Sequence, residues 1–245
     1  MTLVTGPWSS GKTLTLYALA SQLKQTGLSI VSLEDPSELE IEGITQIQVS
    51  RRTGLTFASG MRAILRQDPD IILLGEIQDL EEATMAFDAC IQARNRVIAG
   101  LHTPTVISAF RWLIDAGVKP DIVATAVAGI VIQRLVNRIC PKCTESVSLS
   151  AQLVASVGFP IPATGPWMKG SGCENCNDTG YRGKTAIFEV VPVNEAMQEV
   201  LQKDPSPLLL KKALRTQRVP SLRRMGIKKA EMGITTVDEV VRVTT

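Results

Sequence analysis

The sequence predicts an α/β fold built on a mainly parallel sheet, followed by a small cysteine-rich subdomain and a helical C-terminal region. Three observations carry this. Apolar, β-branched runs alternate with helix-period segments over residues 1–102, the pattern of a parallel sheet. A glycine-rich turn, GPWSSGKT (6–13), lies between the first such run and the first helix-period segment. Four of the five cysteines fall in two CxxC pairs, CPKC (140–143) and CENC (173–176).

Taken in order, residues 1–5 form a short β-branched strand. Residues 13–25 carry Leu14, Leu16, Tyr17, Leu19, Ala20 and Leu23 at helical spacing, and Gly27 closes that helix. SIVSLED (29–35) is a second strand, broken by Pro36 and Ser37. ELEIEGITQIQVS (38–50) alternates apolar and polar residues around Gly43, which predicts a small hairpin. A helix over 56–66 precedes Pro69 and the buried strand DIILLG (70–75). A helix over 80–93 leads to the strand RVIAGLH (96–102). Residues 105–138 predict two or three further helices. The character changes at Cys140: residues 140–193 are loop-rich, with short β-like runs, and residues 194–245 are helical.

Length and composition narrow the classes. The chain has 245 residues, 44% of them hydrophobic, and a formal charge of +2. That is ample material for a core. A near-neutral total asks for neither nucleic acid nor an anionic membrane. No apolar run reaches the roughly 18 residues of a membrane span. The opening MTLVTG has neither a charged n-region nor a long apolar stretch, so a cytosolic protein is expected. Paired cysteines in such a chain point to metal rather than disulfides.

GPWSSGKT fits GxxxxGK[ST] in its required strand–helix context. Gly6, Pro7, Trp8, Ser9, Ser10, Gly11, Lys12 and Thr13 would wrap the phosphates of a nucleotide, all but Pro7 offering a backbone N–H, with the dipole of the following helix behind them. Lys12 adds a point charge, and Thr13 a hydroxyl for Mg²⁺. Asp70 stands at the start of its strand, too far from this loop. Glu76 lies just past the strand's C-terminal end, where α/β sheets place ligands, and is assigned to the Mg²⁺ shell. Among Glu34, Asp35 and Glu38, after the second strand, one carboxylate would polarise the attacking water. His102, the only histidine, ends its strand on the same sheet edge and would sense the γ-phosphate or signal between subunits.

Each CxxC turn places two thiolates on one face of a tetrahedron. Cys140, Cys143, Cys173 and Cys176 therefore predict a closed Cys₄ site, structural in role, with Zn²⁺ as the default metal. Cys90, at an apolar helical position, is expected to be buried and inert. The basic run Lys211, Lys212, Arg215, Arg218, Arg223, Arg224, Lys228 and Lys229 is expected to be a solvated helical face.

Together these blocks resemble the secretion ATPases of type II secretion and type IV pilus assembly. The order GPWSSGKT, SLEDPSELEIEGITQIQV, LRQDPDIILLGEIQD, GLHTPTVISAFRWL, GIVIQRLVNRICPKC, GYRGKTAIFEVV and GITTVDEVVRVT carries the resemblance over nearly the whole chain. It implies a RecA-like P-loop NTPase core at 1–139, a tetracysteine zinc subdomain at 140–193 and a C-terminal helical region at 194–245. It further implies ATP/ADP and Mg²⁺ as ligands, and a homohexamer. The partners implied are an inner-membrane platform protein and a membrane-associated tether, with no nucleic acid. The location implied is cytoplasmic, peripheral to the inner membrane. By the same resemblance Glu38 is the water-activating base with Glu34 as the close alternative, Glu76 is the Walker B acid, and His102 the His-box histidine. The cysteine insertion points to the secretion or pilus-extension branch.

The chain departs from the family pattern at Trp8 and Ser9 (for Thr and Gly), Gln78 (for Arg) and Pro104 (for Asn). Phosphate binding is expected to survive these changes; the rate is what they put in question. Family members also carry a preceding domain that supplies arginines to the γ-phosphate. The chain opens directly on the first strand, so it is expected to be a fragment, with its N-terminal domain absent, that binds nucleotide and turns it over weakly. An arginine finger contributes about 10³–10⁵ in rate in other NTPases. Two other classes fit part of the pattern. A DNA translocase would share the P-loop and basic run, but the chain has few aromatics for base stacking. A nucleotide-gated scaffold would share the altered segments, but Lys12, Thr13, Glu38 and Glu76 are intact.

Overall fold

Buried β-branched and aliphatic runs set the sheet. The computed structural model describes residues 1–24, 27–50 and 52–245. Its first elements are β1 (Thr2–Thr5), α1 (Lys12–Lys24), β2 (Ile30–Glu34), β3 (Thr45–Gln48), α2 (Phe57–Leu65), β4 (Ile71–Ile77), α3 (Leu80–Ile91), β5 (Arg96–Leu101), α4 (Val106–Asp115), α5 (Pro120–Ala126) and β6 (Gly129–Ile139). After these come β7 (Thr144–Ser146), α6 (Ala151–Ser156), β8 (Met168–Gly170), β9 (Tyr181–Pro192), α7 (Glu195–Lys203), α8 (Pro207–Thr216), α9 (Leu222–Glu231) and α10 (Val237–Thr244). The main sheet runs β3-β2-β4-β5-β1-β6-β9. Its pairs from β3 through β6 are parallel. The bonds from Cys140 N–H to the Gly180 carbonyl (2.9 Å) and from Val193 N–H to the Ala128 carbonyl (2.9 Å) set β9 antiparallel to β6. The predicted α/β fold with a mainly parallel sheet is thus the one observed.

Two expectations are corrected. Residues 129–139 are strand, not helix. Gly129–Ile132 pairs in parallel with Thr2–Thr5, and Ile130 and Ile132 are buried there. A strand covered on both faces reads as a continuous apolar run, which periodicity alone does not separate from a buried helix. Residues 38–50 are not a hairpin. They hold one strand, β3, in parallel register with β2. Gln46 folds the preceding loop onto it: Ile41 N–H donates to its Oε1 (2.6 Å), and its Nε2 donates to the Leu39 carbonyl (2.9 Å). The predicted end of the first helix at Gln25 lies outside the described residues. Cys90 is half-buried rather than buried, because it sits in the last turn of α3 beside the exposed Ile91.

The chain divides into two units, Met1–Ile132 with Val190–Val219, and Gln133–Glu189 with Pro220–Thr245. The first contains the sheet's parallel core. There Leu16, Tyr17 and Ala20 of α1 pack on Val4, Ile30, Ile71, Leu73 and Ile98. Thr56 and Ser59 form a capping box on α2, and Thr105 and Ser108 one on α4. These satisfy N–H groups that a helix start leaves unpaired.

The second unit has its own core, in which Trp167 packs with Val157, Ile227, Ala230, Val237 and Val240. The basic run is no single face. It is split between α8 and α9, and Arg223 donates to the carbonyls of Ser156 (3.1 Å), Val157 (3.4 Å) and Thr244 (3.0 Å). Cations suit such unpaired helix-end carbonyls.

Glu239 ties α10 to β6. Its oxygens accept from the Asn137 N–H (3.0 Å) and from Arg242 Nε and Nη2 (both 2.8 Å). Burial opposes its charge, but the Arg242 and Asn137 donors outweigh burial and hold the carboxyl below its ordinary range. A depressed acid stabilises the fold above its unfolded value and loses that contribution as pH falls. Glu239→Gln is therefore expected to lower stability by about 1–2 kcal/mol at neutral pH. The gap to the parent chain should close as pH drops below the ordinary carboxylate range. Thermal unfolding as a function of pH checks this; a gap independent of pH would contradict it.

Candidate functional site

Four strand ends meet at one edge of the sheet. The glycine turn follows β1, the acidic loop follows β2 and His102 follows β5; Glu76, expected just past its strand, is instead the penultimate residue of β4, because the strand continues through a register shift to Ile77. β1 is paired to β5 residue by residue, Thr2 to Ile98 through Thr5 to Leu101. The buried Thr5 hydroxyl continues that pairing past the strand: it donates to the Thr103 carbonyl (2.6 Å), meets the Thr103 hydroxyl (2.6 Å) and accepts from the Thr103 N–H (3.2 Å).

In the turn, Ser9 has φ 60° and Gly11 φ 83°. Gly11 takes the left-handed region freely. Ser9 does not, and the conformation costs about 1 kcal/mol more for a residue with a Cβ. The loop closes with Ser10 N–H on the Pro7 carbonyl (3.3 Å) and Thr15 N–H on the Gly11 carbonyl (3.2 Å). Lys12 Nζ donates to the carbonyls of Gly6 (3.1 Å) and Pro7 (3.5 Å) and pairs with Glu76 Oε1 at 3.4 Å. Its ammonium also lies 5.8 Å from the Trp8 ring centre. Trp8 itself is 73% exposed, yet one face of its ring packs on His102 with centroids 4.6 Å apart.

Glu76 owes its place to a local irregularity. The β4–β5 ladder shifts register between Leu74 and Ile77, so Gly75 and Glu76 stand outside regular pairing. The Gly75 carbonyl moves so close to β5 that a Cβ at Gly100 would lie 2.1 Å from it. Only glycine at 100 admits this approach.

The acidic loop separates its two candidates. Glu34 is 3% exposed. Its Oε1 accepts from Ser32 Oγ (2.7 Å) and Gln46 Nε2 (3.1 Å), and its Oε2 from the Tyr17 hydroxyl. Glu38 is exposed, and its carboxylate accepts from the Thr13 hydroxyl at 3.0 Å. Asp70, as expected, stands at the far end of β4, where it caps the Ser29 N–H (2.8 Å). Nearby, burial first and then Asp79 and Asp35 push the Glu82 carboxyl up, although it accepts from the Gln78 N–H (2.8 Å).

The structure thus brings together Lys12, Thr13, Glu38 and Glu76, with Trp8 against His102, and places Glu34 beneath them. Sequence reasoning missed Thr5, Thr103, Ser32, Gln46 and Tyr17. Tyr17 was visible only as one apolar residue at helical spacing; nothing in the pattern marks its hydroxyl.

In the second unit the Sγ atoms of Cys140, Cys143, Cys173 and Cys176 all lie within 4.8 Å of one another. The Cys140–Cys173 separation is 3.9 Å, and Cys143–Cys176 and Cys173–Cys176 are 3.8 Å. A tetrahedron of sulfurs about 2.3 Å from a zinc ion has edges of about 3.8 Å. Donors surround the sulfurs: Asn175 Nδ2 reaches Cys140 Sγ, and the N–H groups of Cys173 and Gly180 reach Cys176 Sγ, all at 3.3 Å. The Asn175 amide leads in lowering the Cys140 thiol to about 6. The donor set fits a thiolate-bound zinc ion.

The family model described as "Type II/IV secretion system protein" matches residues 1–242. The type II secretion system protein E of Aeromonas hydrophila is 40% identical over 242 residues, covering 99% of this chain and 48% of that protein. The type II secretion system ATPase E of Vibrio cholerae shows the same identity and coverage. The chain spans about half the length of these relatives. The crystal structure of the pilus retraction motor PilT with bound ADP matches 99% of this chain and 60% of that one, with a TM-score of 0.70 at 23% identity. This likeness shows a shared α/β fold. Among the described residues, no helix is long and apolar enough to cross a membrane.

Proposed function

Because the chain belongs to the type II/IV secretion system protein family, we propose that it is the ATP-binding and hydrolysing part of a bacterial type II secretion or type IV pilus assembly motor. The observation that carries this is the meeting of Lys12, Thr13, Glu38 and Glu76 at one sheet edge, beside the glycine turn at 6–13. Gly6 to Thr13 bind the nucleotide phosphates. Lys12 turns from Glu76 and the Gly6 and Pro7 carbonyls to the phosphate oxygens. Thr13 and Glu76 would hold the Mg²⁺ that accompanies the nucleotide, and that ion would neutralise charge developing on the phosphate oxygens. A Thr13 hydroxyl given to the metal would release Glu38.

Glu38 then takes a proton from a water whose oxygen attacks the γ-phosphorus, as the bond to the bridging oxygen of ADP breaks. Glu34 is poorly suited to this, since three donors fill its oxygens under the surface. His102, its ring tilted against that of Trp8, is the γ-phosphate sensor of the proposal. The motor works as a homohexamer in the cytoplasm, engaging an inner-membrane platform protein and a membrane-associated tether. The segments 1–139, 140–193 and 194–245 remain the proposed division by role. The compact units group 190–219 with the sheet and 220–245 with the cysteines.

Zn²⁺ is the proposed occupant of the Cys₄ site, in a structural role. All four ligands come from protein, which leaves no open position.

Two outcomes follow. Glu38→Gln should leave ATP affinity within about threefold and slow single-turnover hydrolysis by about 10²-fold or more. An unchanged rate would refute Glu38 as the base. Dialysis against a zinc chelator should release bound zinc and lower the unfolding temperature of the second unit, and Cys176→Ser should do the same. Zinc-free protein with an unchanged melt would contradict the structural role.

A further inference from the structure

We infer that Tyr17 is a positioning residue for Glu38: its hydroxyl, lodged between the Glu34 carboxylate and the Glu38 N–H, sets where the water-activating carboxylate stands. This rests on the reading of Glu38 as the base.

Tyr17 lies one helical turn beyond Thr13 on α1, and residues at i and i+4 share a helix face. Both hydroxyls on that face hold Glu38. Thr13 donates to its carboxylate (3.0 Å), and the Tyr17 hydroxyl accepts from its N–H (3.0 Å). The Tyr17 ring is 5% exposed and packs among Val4, Ile30 and Leu16, so only the hydroxyl leaves the core. That hydroxyl donates to Glu34, whose other oxygen is held by Ser32 of β2 and Gln46 of β3. Ser32 and Gln46 are register partners across those strands. A chain of bonds therefore runs from two strands, through a buried acid and the phenol, to the backbone of an exposed loop residue.

The chemistry of the phenol suits this. Burial first, then the Glu34 carboxylate, push Tyr17 above its ordinary range, so it keeps its proton and stays a donor to Glu34. With its proton so engaged, the oxygen has lone pairs left only to accept, and Glu38 N–H is what it accepts from. A phenylalanine would fill the same core space. The hydroxyl is then the part to be explained, since burying one with a carboxylate is costly unless both are fully bonded. An exposed loop residue whose backbone is pinned to a buried group keeps a fixed place while its carboxylate stays free to move.

The test is a double-mutant cycle in single-turnover hydrolysis of MgATP, using Tyr17→Phe, Glu38→Gln and the double variant, with ATP affinity measured in parallel. Tyr17→Phe should keep affinity within about twofold and slow the chemical step by about tenfold or more, as misplacement of a reacting group does. In the Glu38→Gln background the same change should have no effect. A second variant, Glu34→Gln, leaves the phenol in place and tests the chain from its buried end; it too should be slow alone and silent with Glu38→Gln. Equal slowing by Tyr17→Phe in both backgrounds would reduce Tyr17 to a packing residue and overturn the inference. So would a Tyr17→Phe protein of unchanged rate beside a dead Glu38→Gln, which leaves the base reading intact. Full activity in Glu38→Gln would overturn both readings together.

Discussion

A missing Cβ at Gly100 decides where the site stands. β5 and β4 approach there more closely than any side chain allows, with 2.1 Å between the Gly75 carbonyl and the place a Cβ would take. The approach accompanies the break in pairing between Leu74 and Ile77, and that break releases Glu76 from the ladder toward Lys12. On the other side of β5, the Thr5–Thr103 bonds carry the same alignment into the phosphate loop and the His102 loop. Three segments of the proposed site are thereby fixed by backbone geometry, which lowers the cost of ordering a site at the moment of binding.

The groups at this edge contact one another. Lys12 is shared among two carbonyls and a carboxylate, and Thr13 among the helix start and Glu38. The Thr13–Glu38 bond is exposed and of modest strength in the surrounding solvent, whereas the Lys12–Glu76 pair is largely buried, with side chains 10% and 19% exposed. A bound triphosphate with its metal carries several charges and exchanges these contacts for stronger, charge-assisted ones. In the proposed mechanism the same exchange would link binding to catalysis, because Thr13, which holds Glu38, is also the proposed metal ligand.

Much of this was legible in the sequence. The apolar runs at 1–5, 29–35, 70–75 and 96–102 marked four strands, and the residues at or near their C-terminal ends marked the site, because a parallel sheet gathers those ends on one edge. The cysteine spacing marked the Cys₄ cluster. What stayed hidden depended on partners distant in sequence. β6 looked like helix because a strand covered on both faces loses its alternation. Gln46 looked like part of a hairpin, since its role is to hold a loop rather than to pair. The Tyr17 hydroxyl has no pattern at all: it matters only because β2 delivers Glu34 and Glu38 to the same turn of α1. Ser9, at a variable position of the motif, occupies a left-handed conformation where a residue with a Cβ carries strain, which the motif alone does not mark.

The central claim is that this edge is a site for a metal-bound nucleoside triphosphate. Calorimetric titration of the chain with ATP, with and without Mg²⁺ and with Lys12→Ala as the control, tests it most directly. The account predicts saturable binding that Mg²⁺ tightens and that Lys12→Ala weakens by about tenfold or more. Binding indifferent to both the metal and Lys12, or no binding, would contradict it.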